Sequence, residues 1–155
     1  MRGYFGIGVY HPKTEHNIGT LWRSAFLYDA AYVFTIGQRY KKQSSDTPKS
    51  IRHIPLFHYE TFEEFYKQLP YAAQLICIEL DETSKPLSVV NHPPQAVYLL
   101  GAEDHGLPQD IIARGHQIVQ IPAAKEQSMN VAVAGSIVMY DRHIKSLEKV
   151  QTLCS

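Results

Sequence analysis

Apolar residues gather into short, near-continuous runs at residues 4–9, 32–36, 74–80, 96–100 and 117–121, most of them without strict alternation with polar positions. Runs of that kind predict parallel strands covered on both faces. A shorter run at 54–58 predicts an added edge strand. Between the first two runs, Ile18, Leu21, Trp22, Ala25 and Phe26 recur at helical spacing and make one apolar stripe. Further helices are predicted at 62–69, 109–114 and 129–147. The alternation of strand and helix predicts an α/β fold, with a mostly parallel sheet flanked by helices.

Two segments interrupt this pattern. Residues 37–50 are polar, with Gln38, Gln43, Ser44, Ser45, Asp46, Thr47 and Pro48, and read as a long mobile loop. Residues 81–94 carry Pro86, Pro93 and Pro94 and read as an irregular surface run.

At 155 residues the chain is expected to form one domain, and its 45% apolar content is enough for a full core. No segment approaches the ~18 consecutive apolar residues of a membrane span. The N-terminal apolar stretch stops at Tyr10, His11 and Pro12, too soon for a secretory signal, so a cytoplasmic protein is expected. The two cysteines, Cys77 and Cys154, have neither metal-ligand nor disulfide spacing and read as inert. Of the eight histidines, His16, His53 and His105 lie near candidate loops without metal spacing, and no metal is expected. The formal net charge is zero, which counts against a generic nucleic-acid binder. Charge is nevertheless local, for Arg39, Lys41, Lys42, Lys49 and Arg52 cluster with only Asp46 among them. Arg39, Lys41 and Lys42 are candidate phosphate contacts, with a solvated charged loop as the alternative.

Three places carry candidate chemistry. In the first, Asn17 reads as an N-cap, Gly19 allows close approach, and Arg23 points away from the apolar stripe. In the second, a strand ends in the glycine-bracketed acidic loop Gly101-Ala102-Glu103-Asp104-His105-Gly106 and runs through Leu107 and Pro108 into a helix. Ligands bind outside the carboxyl ends of parallel strands, and an acidic loop favours a ligand with positive charge or with hydroxyl and amino donors. The dinucleotide fingerprint is absent there, and no glycine-rich phosphate loop follows the first strand, which weighs against a doubly wound nucleotide-binding enzyme. In the third, Ile121-Pro122 leads to Ser128, read as an N-cap, and to Asn130 in a first helical turn. Ala132, Ala134 and Gly135 follow and predict close packing of that helix, against the body of the protein or a partner subunit.

In this order and spacing the three segments resemble the three motifs of the SpoU/TrmH family of SPOUT methyltransferases. Asn17-Ile18-Gly19 with Arg23 resembles the first, Leu100-Gly101 with Glu103, Gly106 and Leu107 the second, and Ile121-Pro122 with Ser128-Met129-Asn130-Val131 the third. The resemblance spans nearly the whole chain. It implies a deep trefoil knot in the C-terminal half and a homodimer whose active site takes residues from both subunits. It further implies transfer of a methyl group from S-adenosylmethionine to a ribose 2′-hydroxyl of RNA. Leu100, Gly101, Glu103, Gly106, Ile121, Ser128, Met129 and Ala132 would hold the cofactor. Arg23, Asn17, Ser128 and Asn130 would carry catalysis, with Arg23 as a clamp on phosphate or developing alkoxide, since guanidinium does not accept a proton. Asn17 would orient Arg23 or the ribose, and Glu103 would fix the second-motif loop.

The third motif departs from common patterns. Gln127 stands where some wobble-base relatives have arginine, and Ala132 where serine is frequent. No added RNA-binding domain is expected, and by analogy with minimal relatives tRNA is favoured over ribosomal RNA as substrate. The alternative is a knotted RNA-binding or regulatory protein that has lost catalysis, against which the presence of Asn17, Arg23, Glu103, Ser128 and Asn130 argues.

Overall fold

The apolar runs pair as parallel strands. The computed structural model describes residues 3–39, 53–102 and 104–155. Its strands are β1 (Tyr4–Tyr10), β2 (Tyr32–Ile36), β3 (Leu56–Tyr59), β4 (Gln74–Ile78), β5 (Lys85–Pro86), β6 (Gln95–Leu100) and β7 (Gln117–Gln120). They form one seven-stranded sheet in the order β3-β2-β1-β6-β4-β7-β5, with every strand pairing parallel. The central strands β1, β6 and β4 are buried almost end to end, which is why their sequences lack alternation.

The helices are α1 (Glu15–Leu27), α2 (Phe62–Lys67), α3 (Gln109–Ile112) and α4 (Val131–Cys154). On one face of the sheet α1 and α4 pack over Ile7, Val9, Ile76, Tyr98 and Leu100. On the other, α2 and α3 pack over Phe34, Leu75, Cys77, Val97 and Leu99. Gly135 lets α4 approach closely, because a Cβ there would collide with Leu21 of α1.

Three expectations shift. The edge strand lies at Leu56–Tyr59, because Ile54 is instead buried and its carbonyl accepts a hydrogen bond from Trp22 Nε1 at 2.8 Å. The stretch 81–94 contains β5 and a 3-10 turn (Leu87–Val89), Pro86 being tolerated because β5 is an edge strand. The last helix runs on to Cys154, since residues 148–154 contain no glycine or proline to end it. The basic and polar loop falls mostly on 40–52, outside the described residues. Among the described residues no helix is long and apolar enough to cross a membrane, and no group of three His, Cys, Asp or Glu side chains comes together as a metal site. Cys77 is buried in β4, and Cys154 is exposed at the far end of α4.

Candidate functional site

Strand order makes the site. The chain leaves β1 toward α1 on one face and leaves β6, its neighbour, toward α3 on the other. Loops that part in this way open a crevice at the carboxyl ends of the strands, the usual place for a ligand in a parallel sheet. A cavity of about 250 Å³ lies there, lined by Ile78, Glu79, Leu80, Leu100, Gly101, Ala102, Asp104, His105, Gly106, Ile121, Gln127, Ser128, Met129, Val131 and Ala134. A narrow cleft lined by Val9, Pro12, Lys13, Asn17, Ala102 and Val131 adjoins it.

The glycine-bracketed loop is tightly folded. Gly106 N–H donates to the Ala102 carbonyl at 2.8 Å, and the two residues form an antiparallel bridge. Gly106 is left-handed at φ +61°, and a Cβ on it would run into the Glu79 carboxylate. At Gly101 a Cβ would strike the Gly106 backbone. Glu79 secures the end of the loop, accepting from Leu107 N–H at 2.7 Å and from Leu80 N–H at 3.0 Å. The sequence pattern marks Glu79 only as an ionisable residue at the end of an apolar strand. Burial, aided by the Glu79 charge, pushes the Cys77 thiol up to about 12. Behind the loop, hydrogen bonds from the Thr83 side chain and backbone, and then from Gln109, hold the Asp81 carboxyl below the usual range.

The third-motif segment corrects the expected cap. Asn130, not Ser128, is the N-cap of α4, its Oδ1 accepting from Ala132 N–H at 2.9 Å and Val133 N–H at 3.2 Å. Its backbone is extended rather than helical, so Asn130 lies before the first turn and Ser128 in the approach to it. Asn130 Nδ2 donates to Asn17 Oδ1 at 3.0 Å, tying the two helix starts together. Asn17 is no cap either. Thr14 holds that position and α1 begins at Glu15, whose charge suits the positive end of the helix, so Asn17 sits within the first turn.

Six residues expected around a cofactor, Leu100, Gly101, Gly106, Ile121, Ser128 and Met129, line the cavity together. Ala132 does not line it; it is buried in the core while its neighbours Val131 and Ala134 face the cavity. Glu103, Lys41 and Lys42 lie outside the described residues. Arg39 is exposed and pairs with Glu60 at 3.5 Å, beyond the carboxyl end of β2 and outside the lining of the cavity. Arg23 is exposed on α1 and outside the cavity lining, next to Ser24, which receives a hydrogen bond from Ser136 at 2.7 Å. Asp104, on the cavity wall, forms an ion pair with Lys13.

The family model described as SpoU rRNA Methylase matches residues 5–140, a range that includes all three motif segments. The chain belongs to the SpoU rRNA Methylase family. No curated protein matches it. Among solved structures, the A. aeolicus TrmH/SpoU tRNA modifying enzyme is similar with a TM-score of 0.84 at 20% identity, over 96% of this chain and 78% of its own. The AdoMet-bound rRNA methyltransferase from Sinorhizobium meliloti is similar with a TM-score of 0.76 at 21% identity, over 94% of this chain and 57% of its own. A structure solved for insight into the 2-OH methylation of C/U34 on tRNA is similar with a TM-score of 0.78 at 22% identity, over 95% of this chain and 93% of its own. This SpoU family member thus spans little more than half the length of the Sinorhizobium chain, and the likenesses show a shared α/β fold.

Proposed function

We propose that this SpoU family member is an S-adenosylmethionine-dependent RNA 2′-O-ribose methyltransferase, one domain working as a cytoplasmic homodimer with a trefoil knot in its C-terminal half. The observation that carries this reading is the cavity at the switch of strand order, walled by the second- and third-motif segments. Its volume is near the lower end of small-molecule sites. Its chemistry fits the cofactor. Leu80, Leu100, Ile121 and Met129 offer apolar walls to an adenine, the bend at Gly101 and Gly106 brings backbone close, and the Asp104 carboxylate suits a cationic ligand.

When bound, S-adenosylmethionine supplies an electrophilic methyl group on a sulfonium. The chain's own contribution is to hold an RNA 2′-oxygen in line with that methyl and to stabilise charge as the hydroxyl loses its proton. Arg23 is the group proposed for that charge, as a clamp on phosphate or developing alkoxide. Its exposure outside its own cavity supports the homodimer, in which a partner's Arg23 completes the site. Exposed Phe26, Leu27, Val133 and Tyr140 on α1 and α4 supply apolar surface for such an interface. Asn130 orients Asn17 at the cleft beside the cavity, and Ser128 lies on the cavity wall. tRNA is favoured over ribosomal RNA by analogy with relatives of similar length, of which the C/U34 enzyme is one.

Calorimetric titration with S-adenosylmethionine, followed by incubation with radiolabelled cofactor and bulk tRNA or ribosomal RNA, tests the reading. Binding with label in RNA is expected, and Arg23→Ala is expected to abolish transfer while retaining the cofactor. Absence of binding at millimolar cofactor overturns the proposal, and wild-type transfer by Arg23→Ala removes Arg23 from the mechanism.

A further inference from the structure

Among the described residues, the ion pair of Lys13 with Asp104 spans the crevice between the β1–α1 and β6–α3 loops. Asp104 belongs to the wall of the larger cavity and Lys13 to the wall of the narrow cleft that holds Asn17, so the pair stands on the boundary between the two. We propose that Lys13 is a phosphate-binding residue for the RNA strand that carries the methyl-accepting ribose, and that Asp104 is the counter-ion it leaves when RNA arrives. This inference rests on the methyltransferase reading above.

The geometry supplies the reasons. A ribose that reaches the cavity by way of the cleft at Asn17 passes this pair, and its 2′-oxygen is only a few bonds from its own 3′-phosphate. A phosphate there would meet the Asp104 carboxylate, and like charges at close range repel. A cation on the opposite loop removes that barrier. Both side chains of the pair are 49% exposed, so the attraction between them is screened by solvent and an incoming phosphate can compete for the ammonium. Lysine suits the exchange, being a point charge on a flexible stem.

The stem moves from a fixed base. His11, left-handed at φ 51°, donates its N–H to the Ile36 carbonyl at 2.8 Å, and Pro12 beside it is buried. Arg39, the other described candidate for a phosphate contact, is paired with Glu60 beyond the carboxyl ends of β2 and β3, and neither residue lines the cavity or the cleft.

The test exploits the opposite directions in which the two partners must act. Affinity for unfractionated tRNA and for ribosomal RNA is measured by fluorescence anisotropy across a salt series at saturating S-adenosylmethionine, for wild type, Lys13→Ala, Asp104→Asn and the double variant. Lys13→Ala is expected to weaken RNA binding roughly threefold to tenfold and to lower the salt slope by about 0.7–0.9, the share of one phosphate contact, while calorimetry shows the cofactor still bound. Asp104→Asn is expected to tighten RNA several-fold, a gain that disappears in the double variant. If the pair merely braces the two loops, both single substitutions weaken RNA together, and that result overturns the inference. A wild-type chain that methylates RNA while Lys13→Ala keeps full affinity and an unchanged salt slope overturns this inference alone. A wild-type chain that binds neither cofactor nor RNA removes the methyltransferase reading and this inference with it.

Discussion

Asn130 shows how much one side chain can hold: its oxygen closes the first turn of α4 and its amide nitrogen reaches Asn17 across the start of α1. Replacing it with alanine strips a cap worth about 1 kcal/mol and removes the hydrogen bond to Asn17 in the same step. Asn130→Ala is therefore expected to lower stability by about that amount in a denaturant titration, with a larger proportional loss of methyl transfer. Ser128→Ala, which leaves the Asn130 cap in place, is expected to cost less stability than Asn130→Ala. The sequence makes the region of this cap legible but not the residue. Ser128 and Asn130 are both good caps by type, and the choice between them is made by where the chain becomes helical, which depends on the packing of Val131 and Ala132 into the core.

At the scale of elements, the loop after β6 is held by contacts from separate parts of the chain, with Glu79 following directly on β4 and Lys13 coming from the β1–α1 loop. Gly106→Ala combines a left-handed backbone that costs an L-residue about 1–2 kcal/mol with a collision against Glu79. For a chain of 155 residues the melting temperature is expected to fall by about 2–4 °C for each kcal/mol lost. Cofactor affinity in a calorimetric titration is expected to fall at least about tenfold, since Gly106 lines the cavity. The strands and long helices were open to prediction because burial on two faces or on one stripe leaves a period in the sequence. Glu79 and the Lys13–Asp104 pair leave none, since each acts on a partner far away in the chain, and β5 is too short to have a period.

Across the whole molecule, the end of the sheet opposite the cavity is closed by a buried polar chain. Arg142 donates to the Pro93 and Pro94 carbonyls and to Tyr98 Oη, Tyr98 O–H donates to His92 Nδ1 at 2.6 Å, and His92 Nε2 donates to Asp141 at 2.7 Å. Burial holds the His92 imidazole below its ordinary value of 6.5, outweighing the opposing pull of Asp141. Above 6.5 the ring is neutral folded or unfolded; as pH falls below it the unfolded chain takes up a proton first, so stability declines until the folded-state value is passed. Urea titrations between pH 7.5 and 5.5 are expected to show that decline, and His92→Gln, which does not titrate, is expected to lessen it. The two thiols stand at opposite extremes of access, Cys77 sealed in β4 with its pKa near 12 and Cys154 exposed at the tip of α4. Helix α4 has 24 residues and begins at the cavity, so Cys154 is carried about 36 Å from it. A maleimide dye under native conditions therefore marks a single, remote atom, and the wild-type chain accepts a fluorescent reporter without a designed cysteine and without crowding the cavity.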